Sequence, residues 1–354
     1  MAEIPKTMKA LVKRNENESY SYEDMPVPQP SGDEVLIKVD SVSICGSDIN
    51  LYKWNDVARV IATIPFVPGH ECAGTVVKCG PDADIPIGAK VGVENHFFCG
   101  ECLQCKYEDR GICPVMGQFG HGKKTEYGGC SEYTIVPAKF LYVMKRNLSP
   151  DEIAMLEPLG VAHNAIERLE VKNEDVLVIG CGPVGLLAQC CVKALGGKRV
   201  IAVDIDESRL QLAKKLGADV LVNTAKENLK DFVYKFTEGV GMGRICECSG
   251  ASPVVNAAFS MLRKGGHIVM VGLPKSPLHV ENVLPDIVFK ALTLKTVHGR
   301  RVYHTWVEIE RLVADGIIDV NPVITHKFAM SKFEEAFQAL FSGQACKIVV
   351  DPSK

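Results

Sequence analysis

The chain contains no run of five or more basic residues, and its 40 lysines and arginines stand against 43 acidic residues, a formal charge of −3. The electrostatic footprint of a nucleic-acid binder is therefore missing, as is the charge needed to hold a protein on an anionic membrane. The opening residues, MAEIPKTMKALVKRN, lack the apolar stretch of a secretory signal. The longest uncharged run, between Asp175 and Lys193, has 17 residues and is interrupted by Gly180, Gly182, Pro183 and Gly185, so it is a poor membrane span. No repeat of solenoid period and no low-complexity segment occurs. What is present is ordinary for a soluble protein: 354 residues, 47% hydrophobic, 23% charged and 7% aromatic, enough for about two domains. The expected location is the cytoplasm.

Fourteen cysteines are too thinly spread for a disulfide scaffold, and without a secretory leader they read as ligands or core residues of a reducing compartment. Four of them, Cys99, Cys102, Cys105 and Cys113, form C-x2-C-x2-C-x7-C in a glycine-containing loop. Such spacing lets four thiolates close a tetrahedral shell around one zinc ion, which makes the ion structural. An iron–sulfur cluster and a metal-free lobe are the rival readings. Pro114 follows Cys113 as in ferredoxin runs, but the final spacing differs from theirs.

The texture changes along the chain. Up to about residue 150 it is β-rich, with Glu34–Ile44, Gly74–Val77 and Val91–Val93 reading as strands and little helical period between them. From about 171, apolar strands (Val176–Ile179, Arg199–Val203, Val220–Val222, Ile245–Cys246, His267–Val271) alternate with helical stretches such as Val184–Leu195 and Glu207–Leu216. That alternation predicts βαβ units and a doubly wound parallel sheet, hence an α/β protein. A helix over Tyr303–Ala314 and a tail over Lys332–Val350 match neither block, and the tail is expected to return to the first domain.

Val176–Gly185 reads VLVIGCGPVG, a strand entering Gly180-x-Gly182-x-x-Gly185 and then a helix. The glycines allow a tight turn, close approach of a pyrophosphate, and close helix–strand packing, while Pro183 and Val184 open a helix whose free N–H groups face the phosphates. Asp204 ends the second strand 19 positions after Gly185, where a carboxylate accepts from the adenosine ribose hydroxyls and repels a 2′-phosphate, favouring NAD over NADP. Arg209 either lies across the adenine or is a solvated helix charge, and Cys181 is read as a small filler.

Cys45, in Cys45-Gly-Ser47-Asp48, and His70 and Glu71, in Gly69-His70-Glu71, are competent zinc ligands, and Glu157 in MLEPLG is another by the same logic. Three protein ligands with an exchangeable fourth position would make a catalytic centre. Spacing alone leaves the alternatives open: a structural buried histidine, and a helix carboxylate at Glu157.

These motifs occur together and in order, and the whole chain resembles the zinc-containing medium-chain dehydrogenase/reductase family. Glu157-Pro158-Leu159 resembles its polyol and threonine dehydrogenase branch. The segments ICGSDINLYKWND at 44–56, ENHFFCGECLQC at 94–105, HGRRVYHTW at 298–306, PVITHK at 322–327 and SGQACKIVV at 342–350 look most like its threonine-oxidising members. The resemblance implies a GroES-like catalytic domain over 1–160 with 300–354 returning to it, a Rossmann domain over 161–299, and a homotetramer. It implies two zinc ions per subunit and NAD-dependent oxidation of a secondary alcohol to a ketone. L-Threonine is the first-choice substrate; sorbitol, xylitol and 2,3-butanediol are alternatives, and a catalytically silent dinucleotide-binding protein is the non-enzyme reading. In this frame Cys45, His70 and one or both of Glu71 and Glu157 hold the catalytic zinc. Ser47 either takes the alcohol proton or caps a helix starting near Asp48, Asp48 orients a ligand, and His96 is a substrate contact or a plain loop histidine. The family's proton-relay histidine, five positions after the zinc cysteine, is replaced by Asn50, which cannot titrate near neutral pH. The relay is then expected to end at bulk water or at His96.

Overall fold

The computed structural model describes residues 3–107, 110–274 and 276–354. They divide into two units: Met1–Glu157 with Arg301–Ala314 and Ile324–Lys354, and Pro158–Arg300 with Asp315–Val323. The stretch expected to return whole to the first domain is thus shared. Asp315–Val323 goes with the second unit, where Asn321–Val323 contacts the helices Pro183–Ala194 and Glu207–Lys215.

The first unit is built on a seven-stranded sheet whose central member is the 11-residue strand Glu34–Ile44. That strand pairs antiparallel with Glu71–Cys79, Lys347–Asp351 and Tyr133–Pro137, and most of its residues are buried because separate core clusters pack on it, one holding Val35, Ile37 and Val39, another Leu36, and a third Val42 and Ile44. The pairing places Ser43 opposite Glu71 and Ile44 opposite Ile348. The ends of three strands distant in sequence therefore meet around Cys45. Two short helices follow that cysteine, Gly46–Lys53 and Asp56–Ile61, where no helical period was legible. Caps set them rather than amphipathicity: the Cys45 N–H donates to Asp48 Oδ2 at 2.9 Å, and Asn55 Oδ1 accepts from Val57 and Ala58.

The second unit holds a six-stranded sheet in the order Val220–Asn223, Arg199–Asp204, Asp175–Ile179, Met242–Glu247, Leu262–Met270, Thr293–Thr296. All neighbouring pairs are parallel. Val176 to Ile179 are all buried, because a parallel sheet with helices on both faces leaves no wet side. The strand order reverses between Asp175–Ile179 and Met242–Glu247, which defines the switch point where doubly wound sheets take their ligands.

Candidate metal centres and nucleotide crevice

In the first unit the ligand atoms of Cys45, His70 and Glu71 lie within 4.8 Å of one another. A thiolate, an imidazole and a carboxylate converging in a mostly buried place are a donor set suited to zinc. Glu157 is not one of the three convergent ligands; it is buried, and its Oε1 accepts from Asn95 Nδ2 at 2.8 Å. Its charge is nevertheless felt by Glu71.

The carboxylate of Glu71 already has company. Lys347 Nζ sits 2.7 Å from its Oε1, and Ser43 Oγ donates to Oε2. Lys347 and Glu71 are both buried, at 2% and 0% exposure, so the pair is a desolvated ion pair next to the candidate metal position. Burial raises the Glu71 pKa, Lys347 works to lower it and Glu157 adds to the rise.

Helix Gly46–Lys53 begins one residue after Cys45, so Cys45 is its N-cap and Ser47 lies in its first turn. This corrects the reading of Ser47 as a cap. Its hydroxyl instead faces His70 Nε2 at 3.5 Å. Asp48 is buried with Oδ1 3.6 Å from His70 Nδ1, too long for a hydrogen bond but close enough for strong charge coupling. Burial opposes both charges, yet His70 holds the Asp48 carboxyl below its ordinary range, and Asp48 raises the His70 pKa well above its usual value. Asn50 turns aside to accept from Asn55 Nδ2 at 2.8 Å.

His96 is buried in a two-residue strand; its N–H donates to Glu94 Oε1 at 3.1 Å, and its ring Nδ1 lies 3.6 Å from the same oxygen. Glu94 Oε2 in turn accepts from Trp306 Nε1 at 2.9 Å. Glu94, Asn95 and Lys347 were not singled out from sequence, and neither was His121, whose ring packs 4.8 Å from that of His70. Burial first, and then His70, push the His121 pKa down to about 3. Only the Glu94-x-His96 spacing carried a local hint. The other contacts span long stretches of chain and leave no pattern in sequence.

Cys99, Cys102, Cys105 and Cys113 converge as well. Their sulfurs lie 3.9 Å (Cys99–Cys105), 3.4 Å (Cys102–Cys105), 3.9 Å (Cys102–Cys113) and 3.6 Å (Cys113–Cys99) apart. Zinc–sulfur bonds of about 2.3 Å give a tetrahedron with edges of about 3.8 Å, so the four thiols fit one zinc ion closely. N–H groups of Glu101 and Cys102 donate to Cys99 Sγ and lower its pKa to about 6, favouring the ligating thiolate.

In the second unit Gly180 has φ +92°, a left-handed conformation natural to glycine. A Cβ on Gly185 would stand 1.8 Å from the Gly180 carbonyl oxygen, so close helix–strand packing requires glycine there. Gly182 differs: its φ is −70° and a Cβ would meet nothing within 4 Å. Packing among the described residues leaves room for a side chain there, whereas a pyrophosphate laid against the backbone would require glycine. Gly182 caps helix Pro183–Ala194, with Pro183 at its first position and Val184 next. Asp204 Oδ2 accepts from the Cys181 N–H at 2.6 Å, and Oδ1 from the N–H groups of Ile205 and Asp206 at 2.7 and 3.0 Å. The carboxylate is thereby tied to the glycine turn. Arg209 is half-buried in the next helix, its N–H bonded to the Asp206 cap.

A donor set for zinc in one unit and a dinucleotide crevice in the other define a metal- and nicotinamide-dependent oxidoreductase. Comparison with known proteins agrees. The alcohol dehydrogenase GroES-like domain family matches residues 31–146, and the zinc-binding dehydrogenase family matches residues 183–315. The L-threonine 3-dehydrogenase of Bacillus subtilis (strain 168) is 35% identical over 347 residues, 98% of this chain and 99% of its own. Among solved structures, 2R,3R-butanediol dehydrogenase from Bacillus subtilis superposes with a TM-score of 0.87 at 28% identity, covering 98% of this chain and 99% of that one. An Escherichia coli CFT073 protein, described as a short chain alcohol dehydrogenase and complexed with NADH, has a TM-score of 0.89 at 26% identity, covering 98% of this chain and 100% of that one. The chain belongs to the zinc-containing medium-chain dehydrogenase/reductase family, and within it is most like the L-threonine 3-dehydrogenases.

Proposed function

We propose that this enzyme oxidises L-threonine at its secondary hydroxyl, giving L-2-amino-3-oxobutanoate, NADH and a proton. The observation that carries the choice of substrate is the full-length likeness to L-threonine 3-dehydrogenases at 35% identity. Cys45 and His70 hold the catalytic zinc, with Glu71 or Glu157 completing the set, and Cys99, Cys102, Cys105 and Cys113 hold the structural one. Bound zinc supplies Lewis acidity that lowers the pKa of an alcohol, and bound NAD supplies the hydride acceptor. Asp48 steadies the His70 ring through charge. Ser47, beside His70, receives the hydroxyl proton. Asn50 cannot carry that proton further, so it passes from Ser47 to solvent. Gly180, Gly182, Gly185 and the start of helix Pro183–Ala194 receive the pyrophosphate. Asp204 accepts from the adenosine ribose and selects NAD over NADP, and Arg209 lies along the adenine.

2,3-Butanediol is the second reading, favoured by the structural likeness to the butanediol enzyme. Threonine brings a carboxylate and an ammonium beside the reacting hydroxyl, whereas a diol needs neutral hydrogen-bonding partners. NADH formation from L-threonine, 2,3-butanediol, sorbitol and xylitol at equal concentration separates them. Turnover of a diol or polyol without turnover of threonine removes the first choice. The cytoplasm is the proposed location; no disulfide joins any of the fourteen cysteines, and among the described residues no helix is long and apolar enough to cross a membrane. A homotetramer is the proposed assembly, and sedimentation of the purified protein tests it.

A further inference from the structure

Glu247 ends the strand Met242–Glu247, is wholly buried, and has no part in the steps above. Its strand is the first beyond the switch point and lies beside Asp175–Ile179, which carries the glycine turn. Dinucleotides lie across such a crevice, one half on each side of the reversal. A carboxylate buried at that point must be compensated by hydrogen bonds. Those seen come from Ser249 and Gly250, in the loop that leaves the strand after Cys248. Oε1 accepts the N–H of Ser249 at 2.8 Å, the Ser249 hydroxyl and the N–H of Gly250 at 3.0 Å, and Oε2 lies 3.2 Å from the same Gly250 nitrogen.

The loop held in this way touches both neighbouring strand ends. On one side the Cys248 N–H donates to the Ile179 carbonyl at 2.8 Å, and a Cβ on Gly180 would come within 3.0 Å of Ser249. On the other, Val271 and Gly272 donate to the Glu247 carbonyl at 2.8 and 3.0 Å. A Cβ on Gly272 would stand 2.7 Å from Glu247 Oε2 and 2.2 Å from the Gly250 nitrogen. The carboxylate thus holds Ser249 and Gly250 in a loop whose own backbone is bonded to the ends of both neighbouring strands at the switch point.

We propose that Glu247 is a positioning residue for the nicotinamide cofactor: its carboxylate fixes Ser249 and Gly250 as the wall of the crevice beside the Gly180 turn. The role suits a group that only accepts, because the groups bonded to it, the Ser249 N–H and hydroxyl and the Gly250 N–H, all donate. Glutamine has nearly the same shape but only one acceptor: with its oxygen at the Oε1 place, its NH2 falls where Oε2 now faces the Gly250 N–H at 3.2 Å. The inference rests on NAD as cofactor and is independent of which alcohol is oxidised.

The test is titration of the full-length protein with NADH, followed by cofactor fluorescence with no alcohol present. Wild type is compared with Glu247→Gln and Glu247→Asp, alongside thermal midpoints and zinc content. Glu247→Gln is expected to raise the NADH Kd at least about tenfold, equivalent to about 1.4 kcal/mol, with zinc content unchanged. Glu247→Asp, which keeps the acceptors on a shorter arm, should fall between the two. In turnover the KM for NAD should rise far more than kcat falls. Should Glu247→Gln fail to fold, Gly272→Ala, which presses a methyl on the same contact, and Ser249→Ala, which removes one donor, give the same readout. Unchanged NADH affinity in the folded variants, even with a lowered thermal midpoint, overturns the proposal and leaves Glu247 as a strut of the sheet. Wild-type protein that binds no NADH overturns both this proposal and the cofactor reading beneath it. Failure to oxidise threonine, with the NADH effects intact, removes only the substrate.

Discussion

The ammonium of Lys347 lies 2.7 Å from Glu71 Oε1 across 276 residues of sequence, with both side chains buried beside the convergent Cys45 and His70. Removing one partner of such a pair strands the other charge away from water. Lys347→Met should therefore destabilise the metal-free protein by about 3–5 kcal/mol. With zinc bound the loss should be smaller, because a second cation stands beside the same carboxylate. Denaturant unfolding with and without a chelator measures the difference. Equal losses in the two states would show that Glu71 does not sense the metal.

Cys45→Ser replaces a soft thiolate donor with a hydroxyl. Turnover should fall by more than about 100-fold, a loss at least as large as that for residues that merely orient a ligand. NAD affinity should remain within about twofold of wild type, since the nucleotide motif lies in the other unit. Metal analysis should find two zinc ions per chain in the wild type and about one in the variant. Turnover that survives would remove Cys45 from the catalytic set.

Two glycines of the nucleotide turn, Gly182 and Gly185, predict opposite phenotypes. Gly182→Ala meets no protein atom within 4 Å, so the thermal midpoint should hold while NAD binding weakens by at least about tenfold as the methyl meets the pyrophosphate. Gly185→Ala drives a methyl to 1.8 Å from the Gly180 carbonyl and should lower stability by about 1–3 kcal/mol before binding is considered. Paired calorimetry and cofactor titration resolve the two. A stable, weakly binding Gly185→Ala protein would contradict the packing argument.

Asp204→Ser removes the carboxylate that a 2′-phosphate would face. The ratio of NADP to NAD utilisation should rise by at least about tenfold, less than the full interaction of two close charges in a partly screened site. Comparison of kcat/KM for the two cofactors is the measurement. Some loss of stability is expected too, because the Cys181 N–H exchanges a carboxylate for a hydroxyl at longer reach.

Much of the site was legible wherever its chemistry is local. The C-x2-C-x2-C-x7-C run brings four sulfurs to tetrahedral spacing within one loop, and strand, glycine turn and helix follow in one unbroken stretch from Asp175 to Ala194. Helix Gly46–Lys53 was legible only as a helix starting near Asp48 and Asp56–Ile61 not at all, since 8 and 6 residues are too few to develop a period and side-chain caps define them. The same capping placed Ser47 inside a helix rather than at its start.

The amino-acid sequence by itself determined the alternation that builds a doubly wound sheet, the glycines of its turn and the residue types able to hold zinc. Each of these is set by neighbours a few positions away, through backbone conformation, side-chain period and ligand spacing. Only the tertiary structure decided that Lys347 neutralises Glu71, that Glu94 lies against His96 and reaches Trp306, and that the loop held by Glu247 lies against Gly180. Those relationships arise from strand order and cross-strand register, and a buried charge finds its partner by the path of the folded chain rather than by any spacing along it.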